Sequence, residues 1–119
     1  MCQLILTKSE RYTVDVAGAY HAIQQVLSKE FSAKNGTILV TGGGLSMYPM
    51  DIYLPLSMDK AALRAMCIAL NASLKEQNVF LGTVTVTDSI VPGGKCDPKL
   101  LAEDFWKLYE ERTECEVIH

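Results

Sequence analysis

The sequence predicts an α/β fold on a mostly parallel sheet, in a single domain spanning residues 1–119. Three observations predict it. Segments with helical apolar spacing alternate along the chain with short β-rich runs. The run from Val79 to Val86 stays apolar without alternation as far as Leu81, as a strand covered on both faces does. The composition, 49% hydrophobic with a net charge of -3, suits one small globular domain.

Taken in order, Leu4-Ile5-Leu6-Thr7 is a candidate strand at the start of the chain. Val16, Tyr20, Ile23, Leu27 and Phe31 then fall at steps of four, three, four and four, predicting a helix over about 14–33 that Asn35-Gly36 stops. Thr37 to Thr41 reads as a short strand, broken by Gly42, Gly43 and Gly44. A loop through Pro49 and Pro55 leads to a second helix over about 57–76, with Leu63, Cys67, Leu70 and Leu74 on one stripe. The strand from Val79 to Val86 follows. Asp97-Pro98 opens a third helix, because Asp accepts from the orphan N–H groups and Pro suits the first helical position. Cys115 to Ile118 is a further short strand. The result is a partial Rossmann-like fold of three strands, or four with Leu4 to Thr7, and three main helices, joined by right-handed crossovers. The strand from Thr37 is left with an open edge, for Leu4 to Thr7 or a second copy of the chain to cover.

Composition narrows the function. Lys and Arg are scattered, so nucleic-acid binding has no electrostatic support. There is no apolar run near the length that spans a bilayer, and no basic flank with an apolar stretch and small-residue cleavage site, so a cytoplasmic protein off the membrane is expected. Cys2, Cys67, Cys96 and Cys115 show no C-x-x-C spacing, and neither histidine neighbours a cysteine in ligand spacing; reduced thiols and no metal site are the expectation.

Thr41-Gly42-Gly43-Gly44-Leu45-Ser46-Met47 follows a strand and invites comparison with a dinucleotide fingerprint. That motif needs three spaced glycines and an immediate helix, whose N–H groups bind pyrophosphate. Here Met47 stands at the third glycine position and Pro49 follows, so the segment reads as a turn at the carboxyl end of a strand.

Several stretches together resemble the short-chain dehydrogenase/reductase family. They are Val14 to Ile23, Gly36 to Gly43, and Ser57-x-x-Lys60-Ala61-Ala62-Leu63, in that order and spacing. The resemblance covers roughly residues 10–119 and corresponds to the C-terminal half of a family member. It implies the last three strands of a seven-stranded Rossmann sheet. It also implies NAD or NADP as cofactor and a catalytic set of Ser, Tyr, Lys and Asn. Residue by residue, the Lys matches Lys60, the Tyr position holds Leu56, the Ser position Gly43 and the Asn position Asp15. Leucine and glycine cannot donate a proton. Substitutes would be Tyr53, seven residues before Lys60, with Ser46. Thr87, Ser89 and Ile90 follow the strand whose loop closes over the nicotinamide in the family, so they, with Lys60, are the cofactor-binding expectation.

The expected function is therefore a family half-domain without dehydrogenase activity of its own, with or without bound cofactor. It would act through homo-oligomerisation by the helices near 14–33 and 57–76. The alternative is a working NAD(P)-dependent oxidoreductase on a small carbonyl or alcohol, completed by a partner chain or swapped dimer, with Tyr53 as the acid.

Overall fold

The computed structural model describes residues 12–119; the strand expected at Leu4 to Thr7 lies outside them. The elements run α1 (Gly18–Val26, preceded by a π turn, Thr13–Ala17), α2 (Lys29–Ala33), β1 (Thr37–Gly43), α3 (Leu54–Lys75), β2 (Phe80–Val86), α4 (Pro98–Glu111) and β3 (Glu116–Ile118). The described strands form one parallel sheet in the order β1-β2-β3, with Thr37 opposite Phe80 and Val84 opposite Val117.

β2 is central and buried along its whole length. Its alternate residues feed two apolar clusters. Phe80, Val84 and Val86 pack with Leu101 and Leu108 of α4. Leu81, with Val79 just before the strand, packs with Ile23 of α1 and Cys67 and Leu74 of α3. Burial on both faces explains why the sequence of β2 lacks polar alternation.

This arrangement corrects the expectation of uniformly right-handed crossovers. The steps from β1 to β2 and from β2 to β3 go the same way across the sheet, yet α3 covers one face and α4 the other. The two crossovers therefore have opposite hands, and one is left-handed. The connection over 87–97, with its turns around Pro92 to Gly94, lets the chain pass to the other face before α4 begins.

Two further departures are local. The helix expected over 14–33 is broken at Leu27, whose backbone is extended, and Ser28 restarts it by accepting from Phe31 N at 3.1 Å. Leu27 and Phe31 still pack on the Ile23 cluster, so the apolar period survives the break. The glycines do not end β1: Gly42 and Gly43 pair with Thr85 and Val86. The expected stop at Asn35 is present in the left-handed conformation (φ 54), and Asn78 after α3 takes the same conformation (φ 63). Arg112 ends α4 in the same conformation (φ 53).

Candidate functional site at the carboxyl ends of the strands

β1 and β2 end side by side, at Gly43 and Val86, and the chain turns away from both ends. Gly44–Ser46 makes a single 3-10 turn, and residues 47–53 form a loop that closes when Met50 N donates to the buried Ser57 hydroxyl at 3.2 Å. α3 starts at Leu54, three residues before the expected position, with Pro55 in its first turn. Between this loop, α3 and the segment after β2 lies an open cleft of about 610 Å³. Open α/β sheets bind ligands at this end.

The cleft brings together Tyr48, Tyr53, Leu56, Lys60, Thr87 and Ser89. Lys60 is half-buried and runs past Gly43, where an added β-carbon would lie 3.3 Å from Lys60 Cδ. The two phenols are half-exposed or more, Tyr53 at 50% and Tyr48 at 69%. Tyr53 sits in a short 3-10 turn, Asp51–Tyr53, directly before α3.

The other expected site residues are placed differently. Ser46 does not line the cleft; its hydroxyl donates to Gly43 O at 2.7 Å, closing the turn. Ile90 is exposed outside the cleft. Asp15 sits in the π turn, also outside it. Thr87 lines the cleft, but its hydroxyl donates to His119 O at 2.7 Å and accepts from Lys95 Nζ at 3.4 Å. Among the described residues no hydrogen bond joins Ser46, Tyr53 and Lys60.

Sequence reasoning missed what holds the cleft's outer wall. His119 fastens the 87–97 segment from β3. Its backbone oxygen accepts from Thr87 N at 2.9 Å, its Nδ1 lies 2.5 Å from Asp104 Oδ2, and its Nε2 lies 2.8 Å from Lys95 O. Both ring nitrogens face acceptors, an arrangement that suits the imidazolium. The His119 pKa is accordingly raised, first by the Lys95 carbonyl and then by the Asp104 carboxylate. Beneath the sheet, Arg64 of α3 makes a two-pronged bond to Glu116 (2.7 and 2.8 Å), and Thr85 donates to the same carboxylate at 2.6 Å. The Arg64 hydrogen bond holds the Glu116 carboxyl below its ordinary pKa. Paired carboxylate and guanidinium residues 52 apart in the chain give no local sequence signal.

The described residues do not fit a whole dinucleotide. Gly42 and Gly43 are strand residues, and the turn from Gly44 is too short to aim a row of N–H groups at a pyrophosphate. Among the described residues, Lys60 is the single cation lining the cleft. No cluster of His, Cys, Asp or Glu able to hold a metal occurs among the described residues.

No family model and no curated protein matches the sequence. A solved structure does. The crystal structure of a short-chain dehydrogenase from Burkholderia cenocepacia J2315, in complex with NADP, matches with a TM-score of 0.78 at 19% identity. The match covers 93% of this chain and 48% of that one. The fold is that of half a short-chain dehydrogenase. The α/β class and the Rossmann-like architecture expected from the sequence are thereby established. No helix among the described residues is long and apolar enough to cross a membrane.

Proposed function

We propose that this chain is a short-chain-dehydrogenase-like half-domain that performs no hydride transfer by itself and works through association. One observation carries the reading. In the cleft, the residue four before Lys60 is the apolar Leu56, and the strand position facing Lys60 is Gly43. Neither can exchange a proton with a carbonyl oxygen. NADP is the ligand of the solved neighbour. For this chain, NAD or NADP binding is supported only in the Lys60, Thr87 and Ser89 part of the cleft.

The association surface in this reading is the face of α1 and α3. Tyr20, Val26, Met58 and Ile68 are all more than two-fifths exposed there, beside a groove between Tyr20, Ala62 and Met66. Exposed apolar patches of this kind mark contact sites. The protein is expected in a cytoplasmic compartment, off membranes and nucleic acid.

A thermal-melt titration tests the cofactor part. A ligand at about 100 times its dissociation constant stabilises the fold by about 2.7 kcal/mol. The expected result is no shift with NADH or NADPH at millimolar concentration. A clear shift with either would show that the cleft grips the dinucleotide unaided.

A second reading rests on Tyr53 and Lys60 lining one cleft. In it, a second chain completes the cofactor site and Tyr53 is the acid. Tyr53→Phe would then abolish turnover by the completed assembly; undiminished turnover would remove Tyr53 from the reaction.

A further inference from the structure

The cleft at the carboxyl ends of β1 and β2 combines apolar walls with polar side chains weighted towards donors. Its volume, about 610 Å³, is that of a small-molecule site. Leu45, Met50, Leu56 and Val86 line it, and Tyr48 and Tyr53 add two aromatic rings. Val86 is buried and Leu56 partly so, which gives the cleft a firm apolar side.

One ammonium is set among these walls. The stem of Lys60 lies along the end of β1, where a β-carbon on Gly43 would sit 3.3 Å from Lys60 Cδ and 3.4 Å from Cγ and Cε. The bare glycine leaves the room in which the stem lies. Among the described residues the Lys60 ammonium makes no ion pair and no hydrogen bond, and the hydroxyls of Tyr48, Tyr53 and Ser89 make no hydrogen bond. A lysine carries three donors and no acceptor, so this set suits a ligand rich in acceptors.

The charges limit that ligand to a single negative one. Asp88 also lines the cleft, exposed to solvent, and its carboxylate accepts from Ser89 N at 2.7 Å rather than pairing with Lys60. One cation beside one solvent-screened carboxylate can balance a monoanion, but not a phosphate dianion or a pyrophosphate. The cleft lies at the amino end of α3, whose first turn has no acidic residue, and that end of a helix favours negative charge. A carboxylate meets these limits: it offers two acceptor oxygens and one charge, and the rest of the molecule is free to be apolar.

We propose that the cleft binds a monocarboxylic acid with an apolar body, of the arylalkanoate class. The carboxylate sits on Lys60, and the body lies against Met50, Leu56 and Val86. The inference rests on the reading of the chain as a half-domain that takes no dinucleotide by itself. No bond is made or broken: the acid is a ligand, not a substrate.

Isothermal titration of the full chain with hydrocinnamate tests this, with a dissociation constant of about 0.1–1 mM expected. Hydrocinnamide has the same body without the charge, and acetate the charge without the body. Each is expected to bind about tenfold more weakly, or worse. Lys60→Met is expected to weaken hydrocinnamate about tenfold with unchanged far-ultraviolet dichroism, and Asp88→Asn to tighten it about twofold. The comparison of ligands on the wild-type chain decides the matter even where a variant fails to fold. No heat with hydrocinnamate, an amide that binds as well as the acid, or phenylalanine binding more tightly than hydrocinnamate would overturn the site. The half-domain reading fails separately: NADPH binding to the wild-type chain contradicts that reading, whereas hydrocinnamate and NADPH both without effect overturn the acid site alone.

Discussion

His119 ties Lys95, Thr87 and Asp104 to the end of β3, and the wall of the cleft depends on that tie. Its pKa is raised in the folded chain and returns to about 6.5 when the chain unfolds. The stabilisation is therefore complete below that ordinary value and is lost as pH rises through the raised one. Melting temperature should fall as pH rises from about 6.5 through the raised His119 value, and His119→Ala should remove that fall. A wild-type profile that is flat or rises across this range would contradict the arrangement. Glu116 works in the opposite sense: its carboxyl, lowered by Arg64, stabilises above the ordinary Glu value and ceases to do so as pH falls through the folded value. The two groups together predict greatest stability in mildly acidic solution. Neither was legible in the sequence, because each partner lies on a different element. Lys60, Leu56, Gly43 and Tyr53 were legible, since their spacing within one loop and helix start already placed them together. Ser46 was misread for a local reason: a serine at the end of a tight turn satisfies its hydroxyl on the nearest carbonyl, Gly43 O, rather than reaching into the cleft.

At the scale of elements, the apolar stripe from Leu63 to Leu74 located α3, the unalternating apolar run located β2, and Asp97-Pro98 fixed the start of α4. What the period could not show was the break at Leu27, since Leu27 and Phe31 keep their packing on both sides of it. The persistence of β1 through Gly42 and Gly43 was equally hidden. Glycine usually interrupts a strand, but here the ladder to Thr85 and Val86 carries it through. Gly82, in the middle of β2, gives a quantitative check on this packing. A β-carbon there would lie 3.0 Å from Phe80 Cε2 and 3.5 Å from Leu108 Cδ1. Gly82→Ala should destabilise by about 1–3 kcal/mol through overpacking, read as a lower urea midpoint with an unchanged slope. An unchanged midpoint would mean that α4 sits further from β2 than the structure has it.

For the whole molecule, alternation of helix and strand was enough to give the α/β class and the parallel order. The hand of the crossovers was not, because a sequence specifies the length of the 87–97 connection and not which side of the sheet it crosses. Placing α3 and α4 on opposite faces buries β2 twice, and among the described residues β1 and β3 end the sheet. The molecule has a core of its own on both faces of the sheet, together with an exposed apolar surface on α1 and α3. Its fold matches 48% of a dehydrogenase, and its cleft is lined by Lys60 with the apolar Leu56 four residues before it. The direct measurement is deuteride transfer: the purified chain incubated with 4-deuterated NADPH and a panel of small aldehydes and ketones, with label in the alcohol products followed by mass spectrometry. The structure predicts no labelled alcohol above the protein-free control. Labelled alcohol formed in proportion to the amount of chain, and absent with Tyr53→Phe, would contradict it.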